Sequence, residues 1–239
     1  MKRMIERMGP ADWVVKTGVG LVILALFFWI YGHQHHFPYW YHWDEEGKAE
    51  QVLTGTRNLH HPLLLVNLAE AAFRVLGNWG GYQRATEIGR LVSAGCMALA
   101  VLGWIGLAGR LRGWVAAGAV ALLVGLQGEV IELAHFFKED PALVMGWTAA
   151  LCALQGYGAR PNKWTAAAVG LGLGLSASAK HVGWLIVPVL VVAMATASGL
   201  ERRRRWRDIG IAIAVGLALW AAINHAFFLP GHGLVLKAQ

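Results

Sequence analysis

The apolar positions of the chain fall into seven long runs, separated by short polar or charged segments. The runs cover residues 12–32, 86–109, 113–135, 140–158, 164–179, 182–198 and 208–229. A helix needs about 20 apolar residues to cross a bilayer, within a range of about 17 to 25. We therefore predict about seven transmembrane helices. The fifth and sixth runs are short, which predicts a tight reversal between them.

The polar segment between the first two runs, 33–85, is rich in aromatic residues and leucine, which favours folded structure. Within it, "PLLLVNLAEAAFRVLG" (62–77) begins with Pro and ends with Gly, a pattern typical of a helix. Its polar residues form one stripe, which predicts an amphipathic helix in the outer membrane interface; "EEGKAEQVL" predicts a shorter one. The prediction is an all-α polytopic membrane protein with a single transmembrane domain over 1–239.

Composition supports this class, because 56% of the residues are hydrophobic and 15% are charged, whereas soluble domains are about 25% charged. The net charge of +7 raises the question of nucleic acid. The basic residues sit in short clusters between apolar runs, as in cytoplasmic loops that meet anionic lipid. We therefore predict contact with membrane lipids and no nucleic acid. The two cysteines lie inside apolar runs without a CxxC pattern, which does not support a thiolate metal site.

The basic clusters also predict an orientation. They precede the first run and separate the second from the third, the fourth from the fifth, and the sixth from the seventh. All four fall on one side if every run crosses the membrane. The positive-inside rule then predicts a cytoplasmic N-terminus and 33–85 outside, across a bacterial inner membrane. No clear small-residue cleavage site follows the first run, so we predict an uncleaved first helix.

The densest acid cluster lies just outside the first run, in "YHWDEEGKAEQV" (41–52). One interpretation is a solvated first helical turn, where acids interact favourably with the helix dipole. The other is that Asp44 and Glu45 stand at the mouth of a membrane cavity. There they would act as a base or bind a divalent cation through hard oxygens.

Three further stretches are predicted on the same side. "TRNLHHPLLLV" offers Arg57 and His61 as contacts to a phosphate, or forms an ordinary helix cap. "EVIELAHFFKEDPALVM" places Glu132 and His135 before Asp140, which precedes Pro141 as in a helix N-cap. In "LSASAKHVGWL", Lys180 lies between the two short runs. It either snorkels to the surface or pairs with an anion such as a lipid phosphate.

The order of these motifs resembles the polytopic family-C glycosyltransferases, in particular the protein-mannosyltransferase-like and aminoarabinose-transferase-like branch. Asp44-Glu45 matches an acidic pair early in the first outer loop. "HHPLL" partly matches a later His-Pro stretch, with Leu63 where a second Pro is usual. "KEDP" resembles a turn that opens the fourth helix, and "SAKHVG" resembles a turn after the fifth. The resemblance spans about residues 12–200 and implies a seven-helix module with two interfacial helices.

The resemblance implies transfer of a sugar from a polyprenyl-phosphate-linked lipid to an acceptor at the outer face, with inversion. Asp44 would be the general base, Glu45 would support it or share a metal, and Asp140 would help on the acceptor or metal side. Lys180, with Arg57 or His61, would hold the donor phosphate. A divalent metal, if one is bound, would take its ligands from the following set: Asp44, Glu45, Glu132 and His135.

Family members usually run to about twice this length, which leaves a second function open. The chain would then be a non-catalytic accessory or scaffold subunit that keeps the fold and docks with other membrane subunits. A transporter is less favoured, because transporter sites use charges near the membrane midplane. Here the charged motifs gather at one face.

Overall fold

A computed structural model describes residues 10–58, 60–76, 79–197 and 201–225. The described part holds ten α-helices, two 3₁₀ helices and no strand, which confirms the all-α prediction. The helices are α1 (Pro10–Gly32), α2 (Trp43–Thr54), α3 (Leu64–Leu76), α4 (Gly81–Arg112), α5 (Trp114–Leu123), α6 (Gly128–His135), α7 (Asp140–Ala159), α8 (Lys163–Ala179), α9 (Val187–Ala195) and α10 (Arg202–Ile223). The 3₁₀ helices are Tyr39–Tyr41 and His181–Ile186.

Three described helices, within α1, α4 and α10, are long and apolar enough to cross a membrane, or up to four if the bent pair α5–α6 is one span. The other apolar helices are shorter or less apolar. Helix α8, with 17 residues, rises about 25 Å, against a hydrocarbon core of about 30 Å. The count of seven spans therefore stays a prediction.

The sequence predicted one transmembrane helix over 113–135, but the structure shows two helices separated by a break. Helices α5 and α6 meet at a bend of 63°. At the break, the Tyr31 hydroxyl donates to the Gly125 carbonyl at 2.7 Å. A Cβ at position 125 would lie 2.5 Å from the Phe27 ring, so only glycine fits there. Packing against α1 therefore accompanies the break, and no proline marks it in the sequence.

Helix α4 is the centre of the first half of the bundle and packs against α1, α2, α3, α5 and α7. The second half is built from α7, α8 and α10, which approach closely through small residues. A Cβ on Gly172 would meet the backbone of Ala150 at 2.3 Å. The close approach fixes α8 between its two neighbours, and so fixes the residue that ends α8, Lys180.

The segment 33–85 contains α2 and α3, the two short helices predicted there, with α3 beginning at Leu64. The end of α10 holds α3 in place. The Leu63 amide donates to the Asn224 side chain at 2.8 Å, and the Asn67 side chain donates to the Ile223 carbonyl at 3.0 Å. Asn224 is buried and also donates to Ser178 at 3.2 Å. The segment is therefore part of the fold.

Charged residues separate to the two ends of the bundle. At one end, which we name the basic end, lie Arg110, Arg112, Arg160, Lys163 and the run Arg202–Arg207. The Arg204 side chain donates to the Pro161 carbonyl at 2.8 Å, which joins two of these groups. At the other end, named the acidic end, lie residues 33–58 and 60–63, the turn 136–140, Lys180 and Asn224. The arrangement agrees with the predicted sidedness, whereas the absolute orientation stays a prediction.

Candidate functional site

A cavity of about 370 Å³ opens at the acidic end, between α2, the segment leading to α3, and the start of α7. Its volume is within the range of about 300 to 1,000 Å³ that ligand sites occupy. The described residues that line it are Trp43, Asp44, Gly47, Lys48, Gln51, Asn58, His60, His61, Pro62, Val66 and Glu139. Carboxylates, amides, imidazoles and one indole make the wall suitable for a ligand rich in hydroxyl groups.

Asp44 stands in the first turn of α2, where the His42 ring accepts its backbone N–H at 3.2 Å. Burial is the largest cause that lowers the pKa of the His42 ring, which favours the neutral form that can accept this bond. The Asp44 side chain is 26% exposed, and its Oδ2 lies 4.0 Å from Lys48 Nζ. That distance is the outer limit of an ion pair, so the carboxylate remains open to the cavity. The Asp44 carboxylate can therefore be stabilised by the dipole of α2 and still contact a ligand in the cavity.

Glu45 has a different role from the predicted one. It is fully buried, and Arg90 of α4 donates to both of its oxygens, at 2.9 Å from Nε and 2.6 Å from Nη2. The Phe137 amide also donates to Oε1, at 2.8 Å. These partners occupy the carboxylate away from the cavity. Glu45 therefore ties α2 to α4 and to the turn before α7, and it does not line the cavity.

Sequence reasoning missed Arg90. Its side chain is fully buried and also donates to the His35 carbonyl at 2.9 Å, the Pro38 carbonyl at 3.0 Å and the Phe37 carbonyl. The sequence did carry a signal for Arg90. It lies inside the apolar run 86–109, where an ionisable residue is costly and is often functional. Arg90 fixes the chain on both sides of the aromatic segment that leads to Asp44.

The proposed metal ligands are not assembled. In the described part of the chain, no three His, Cys, Asp or Glu side chains are grouped as a metal ion would require. Glu45 is taken by Arg90, and Glu132 is exposed. Both ring nitrogens of His135 lie near carbonyl oxygens, at 2.7 Å from Ile131 and 2.8 Å from His33. The prediction that Asp44, Glu45, Glu132 and His135 form one ligand set is therefore wrong.

Asp140 and Lys180, widely separated in sequence, form a direct ion pair. Asp140 is the first residue of α7, Lys180 is the C-cap of α8, and Lys180 Nζ lies 2.9 Å from Asp140 Oδ1. Their side chains are 30% and 33% exposed, so solvent or a ligand reaches both. They do not line the cavity with Asp44, although Glu139, the residue before Asp140, does.

Arg57 and His61, the other predicted phosphate contacts, differ in their surroundings. The Arg57 guanidinium is paired with Glu70, and it also donates to Asn67 at 3.2 Å and to the Gln51 carbonyl at 3.1 Å. It therefore fastens α2 to α3. His61 lines the cavity. Burial is the main cause that lowers the pKa of its ring, which favours a neutral imidazole.

Lys48 and Glu139 are cavity residues that sequence reasoning also missed. Lys48 lies one helical turn after Asp44, and its Nζ is 3.3 Å from Glu139 Oε1. Both side chains are 6% exposed. The spacing of four residues between Asp44 and Lys48 is a visible helix-pair signal. The contact with Glu139 depends on the tertiary fold and has no sequence signal.

Comparisons with known proteins give a family and a fold. Residues 70–230 match the family model "Dolichyl-phosphate-mannose-protein mannosyltransferase". No curated protein matches the chain. A solved structure that is similar is the S. cerevisiae protein O-mannosyltransferase Pmt1-Pmt2 complex bound to the sugar donor, with a TM-score of 0.73 and 18% identity. The alignment covers 89% of this chain but 33% of that one, so the chain spans about a third of its length.

Proposed function

This chain belongs to the dolichyl-phosphate-mannose-protein mannosyltransferase family, and from that premise we propose that it is a membrane glycosyltransferase. It would move a sugar from a polyprenyl-phosphate-linked donor to an acceptor at the extracytoplasmic face. The family and the fold make it an integral membrane protein of the family-C glycosyltransferase type. The observation that carries the proposed activity is the Asp44 carboxylate, which is partly exposed in the cavity and not closed by a short ion pair.

In the proposed reaction, Asp44 accepts a proton from the acceptor hydroxyl or amine as that group attacks the anomeric carbon. The bond between the anomeric carbon and the phosphate oxygen breaks, and its electron pair leaves with the polyprenyl phosphate. Attack from the face opposite the leaving group inverts the configuration. A positioned base of this kind contributes about 10² to 10⁴ in rate.

We assign the leaving phosphate to Lys180. Its ammonium is held near Asp140 and is one-third exposed, so it can exchange part of that pairing for a phosphate oxygen. A fixed cation beside the developing charge is the main form of stabilisation that such a leaving group needs. We do not include Arg57, because Glu70 and Asn67 occupy its guanidinium. The neutral His61 ring would hydrogen-bond the sugar or the acceptor from the cavity wall.

The assignment to the extracytoplasmic face rests on charge. The acidic end carries the cavity, and the opposite end carries the exposed arginines of the run Arg202–Arg207. Exposed arginine clusters favour the cytoplasmic side of a membrane. The same argument supports an inner-membrane protein with a cytoplasmic N-terminus if the source is bacterial.

A scaffold subunit is the second candidate function. The chain spans about a third of the similar solved chain, and that structure is a complex of two proteins. A non-catalytic subunit would keep the buried Glu45–Arg90 pair, because the fold depends on it, but no sugar transfer would take place at its cavity. The two functions differ in one measurable property, which is transfer by the isolated chain.

The test is sugar transfer by the purified full chain, reconstituted with a polyprenyl-phosphate-mannose donor and a pool of peptide and lipid acceptors. Asp44→Asn should reduce transfer about 10² to 10⁴-fold with unfolding unchanged. Glu46→Gln is the matched control, because Glu46 is the exposed neighbour in the same turn and does not line the cavity. Full transfer by Asp44→Asn would exclude Asp44 as the base. No transfer by the unaltered chain would favour the scaffold.

A further inference from the structure

Among the described residues that line the cavity, Lys48 is the only lysine or arginine. Its side chain is 6% exposed, and a buried ammonium is costly unless it is paired. Its Nζ lies 3.3 Å from Glu139 Oε1, 4.0 Å from Asp44 Oδ2 and 3.4 Å from the Asp44 carbonyl oxygen. Lys48 therefore stands between two carboxylates and is held more closely by the one that is less exposed.

Glu139 is well suited to hold Lys48 in a fixed position. It precedes α7, its carbonyl accepts the first helical hydrogen bond from Leu143 at 2.9 Å, and it is buried. Lys48 itself belongs to α2, and the Glu45–Arg90 pair ties that helix to α4. The position of the ammonium is thus set by two helices that meet at the cavity.

We propose that Lys48 and Glu139 are positioning residues for Asp44. Glu139 holds the ammonium back, and the ammonium orients the Asp44 carboxylate towards the cavity without closing on it. The inference rests on the proposed function, since it assigns Asp44 as the base. Lys48 would not be the phosphate contact. The three groups carry two negative charges and one positive charge, and this excess of negative charge disfavours a phosphate beside them.

The expected effects follow from orientation. Lys48→Met removes the group that orients Asp44, and a misplacement of about 1 Å can cost about 10²-fold in rate. We expect kcat to fall by about that factor, with the KM for the donor changed less than about twofold, because the donor phosphate lies at Lys180. Lys48→Arg keeps a cation and should recover most of kcat. Glu139→Gln releases Lys48 towards Asp44 and should lower kcat by a smaller factor.

A double variant separates positioning from independent effects. If Glu139 acts through Lys48, then Lys48→Met with Glu139→Gln should lose no more kcat than Lys48→Met alone, because coupled residues are not additive. Lys138→Met is the matched control. Its ammonium lies 5.7 Å from the centre of the Phe136 ring and does not line the cavity. It should keep kcat, and thermal unfolding of every variant reports on the fold.

The outcomes are distinguishable. Transfer by the unaltered chain, with kcat lost in Lys48→Met and restored in Lys48→Arg, supports the inference. Transfer by the unaltered chain with kcat retained in Lys48→Met overturns the inference and leaves the proposed function in place. If Lys48→Met does not fold, Glu139→Gln decides: a lowered kcat supports the inference, and an unchanged kcat overturns it. No transfer by the unaltered chain overturns the proposed function, and the inference with it.

Discussion

The two ends of the bundle handle charge in opposite ways. At the acidic end, charged side chains are buried in pairs that join separate elements, as in Glu45 with Arg90 and Lys48 with Glu139. At the basic end, most charged side chains are exposed; Arg204 and Arg205 donate to the Pro161 and Ala195 carbonyls, and the exposed Arg207 pairs with the buried Asp208. Buried pairs specify a geometry, because each partner is costly without the other. Exposed charges specify mainly a preference for one side of a membrane.

Exposed tryptophan side chains occur at both ends of the bundle. Trp43 is 83% exposed at the acidic end, while Trp114 and Trp164 are 84% and 74% exposed at the basic end. Exposed tryptophans at both ends are typical of two membrane interfaces. Both ends therefore carry aromatic residues suited to an interface, and they differ in their buried ion pairs and in the side of a membrane that their charges favour. Catalytic geometry is expected where the charges are fixed.

The largest effect should follow Arg90→Met. The change leaves the Glu45 carboxylate buried and unpaired, which typically costs about 3 to 5 kcal/mol of unfolding free energy. Thermal and denaturant unfolding in detergent measure it. The double variant Arg90→Met with Glu45→Met removes both charges and should be less destabilised than Arg90→Met alone. Equal destabilisation would mean that the ion pair does not account for the loss.

A smaller loss should follow Asn224→Ala. The Asn224 side chain accepts the Leu63 amide and donates to Ser178 inside the protein. Removing it leaves a buried donor without its partner, a cost of about 1 to 3 kcal/mol. The exposed Thr196 side chain returns only to carbonyls of its own helix, so Thr196→Ala is a suitable control. Similar melting temperatures for both variants would argue against the link between α10 and α3.

The next effect is a dependence of the unfolding free energy on pH, through the titration of His61. Burial lowers the pKa of the ring below its ordinary value of 6.5; Glu139 and Asp44 oppose the shift, and His60 and Lys48 add to it. The unfolded state therefore binds a proton before the folded state does. Stability should be lost as pH falls below about 6.5 and down through the folded pKa. His61→Gln should flatten this dependence, measured by unfolding between about pH 7.5 and about pH 5.5. An unchanged slope would contradict the assignment.

The sequence was sufficient for the all-α class and for the separation of charge, because apolar runs and basic clusters are local signals. It also placed Asp140 and Lys180 on the same side, but it assigned Lys180 to a phosphate and did not predict the ion pair between the two side chains. The bend at Gly125 has no proline to announce it and depends on contact with Phe27 and Tyr31. The roles of Glu45 and Glu139 were not predictable. Adjacent carboxylates look alike in a sequence, and only the approach of Arg90 and Lys48 separates them.

The smallest effect on the fold, and the sharpest test of the comparison, should come from cysteine substitution at one exposed position on each end. Arg203 lies in the exposed run at the start of α10, and Glu46 lies in the exposed part of the first turn of α2. Exposed side chains without buried partners usually contribute little to stability, so Arg203→Cys and Glu46→Cys should unfold like the unaltered chain. In intact cells, a membrane-impermeant maleimide should label Glu46→Cys, and it should label Arg203→Cys only after the membrane is opened.

Cys96 is buried and Cys152 is partly buried, so replacing both by alanine provides the background. Labelling of both positions from the same side would show that the two ends do not face opposite sides of a membrane. Labelling of Arg203→Cys alone in intact cells would invert the proposed orientation and place the cavity in the cytoplasm.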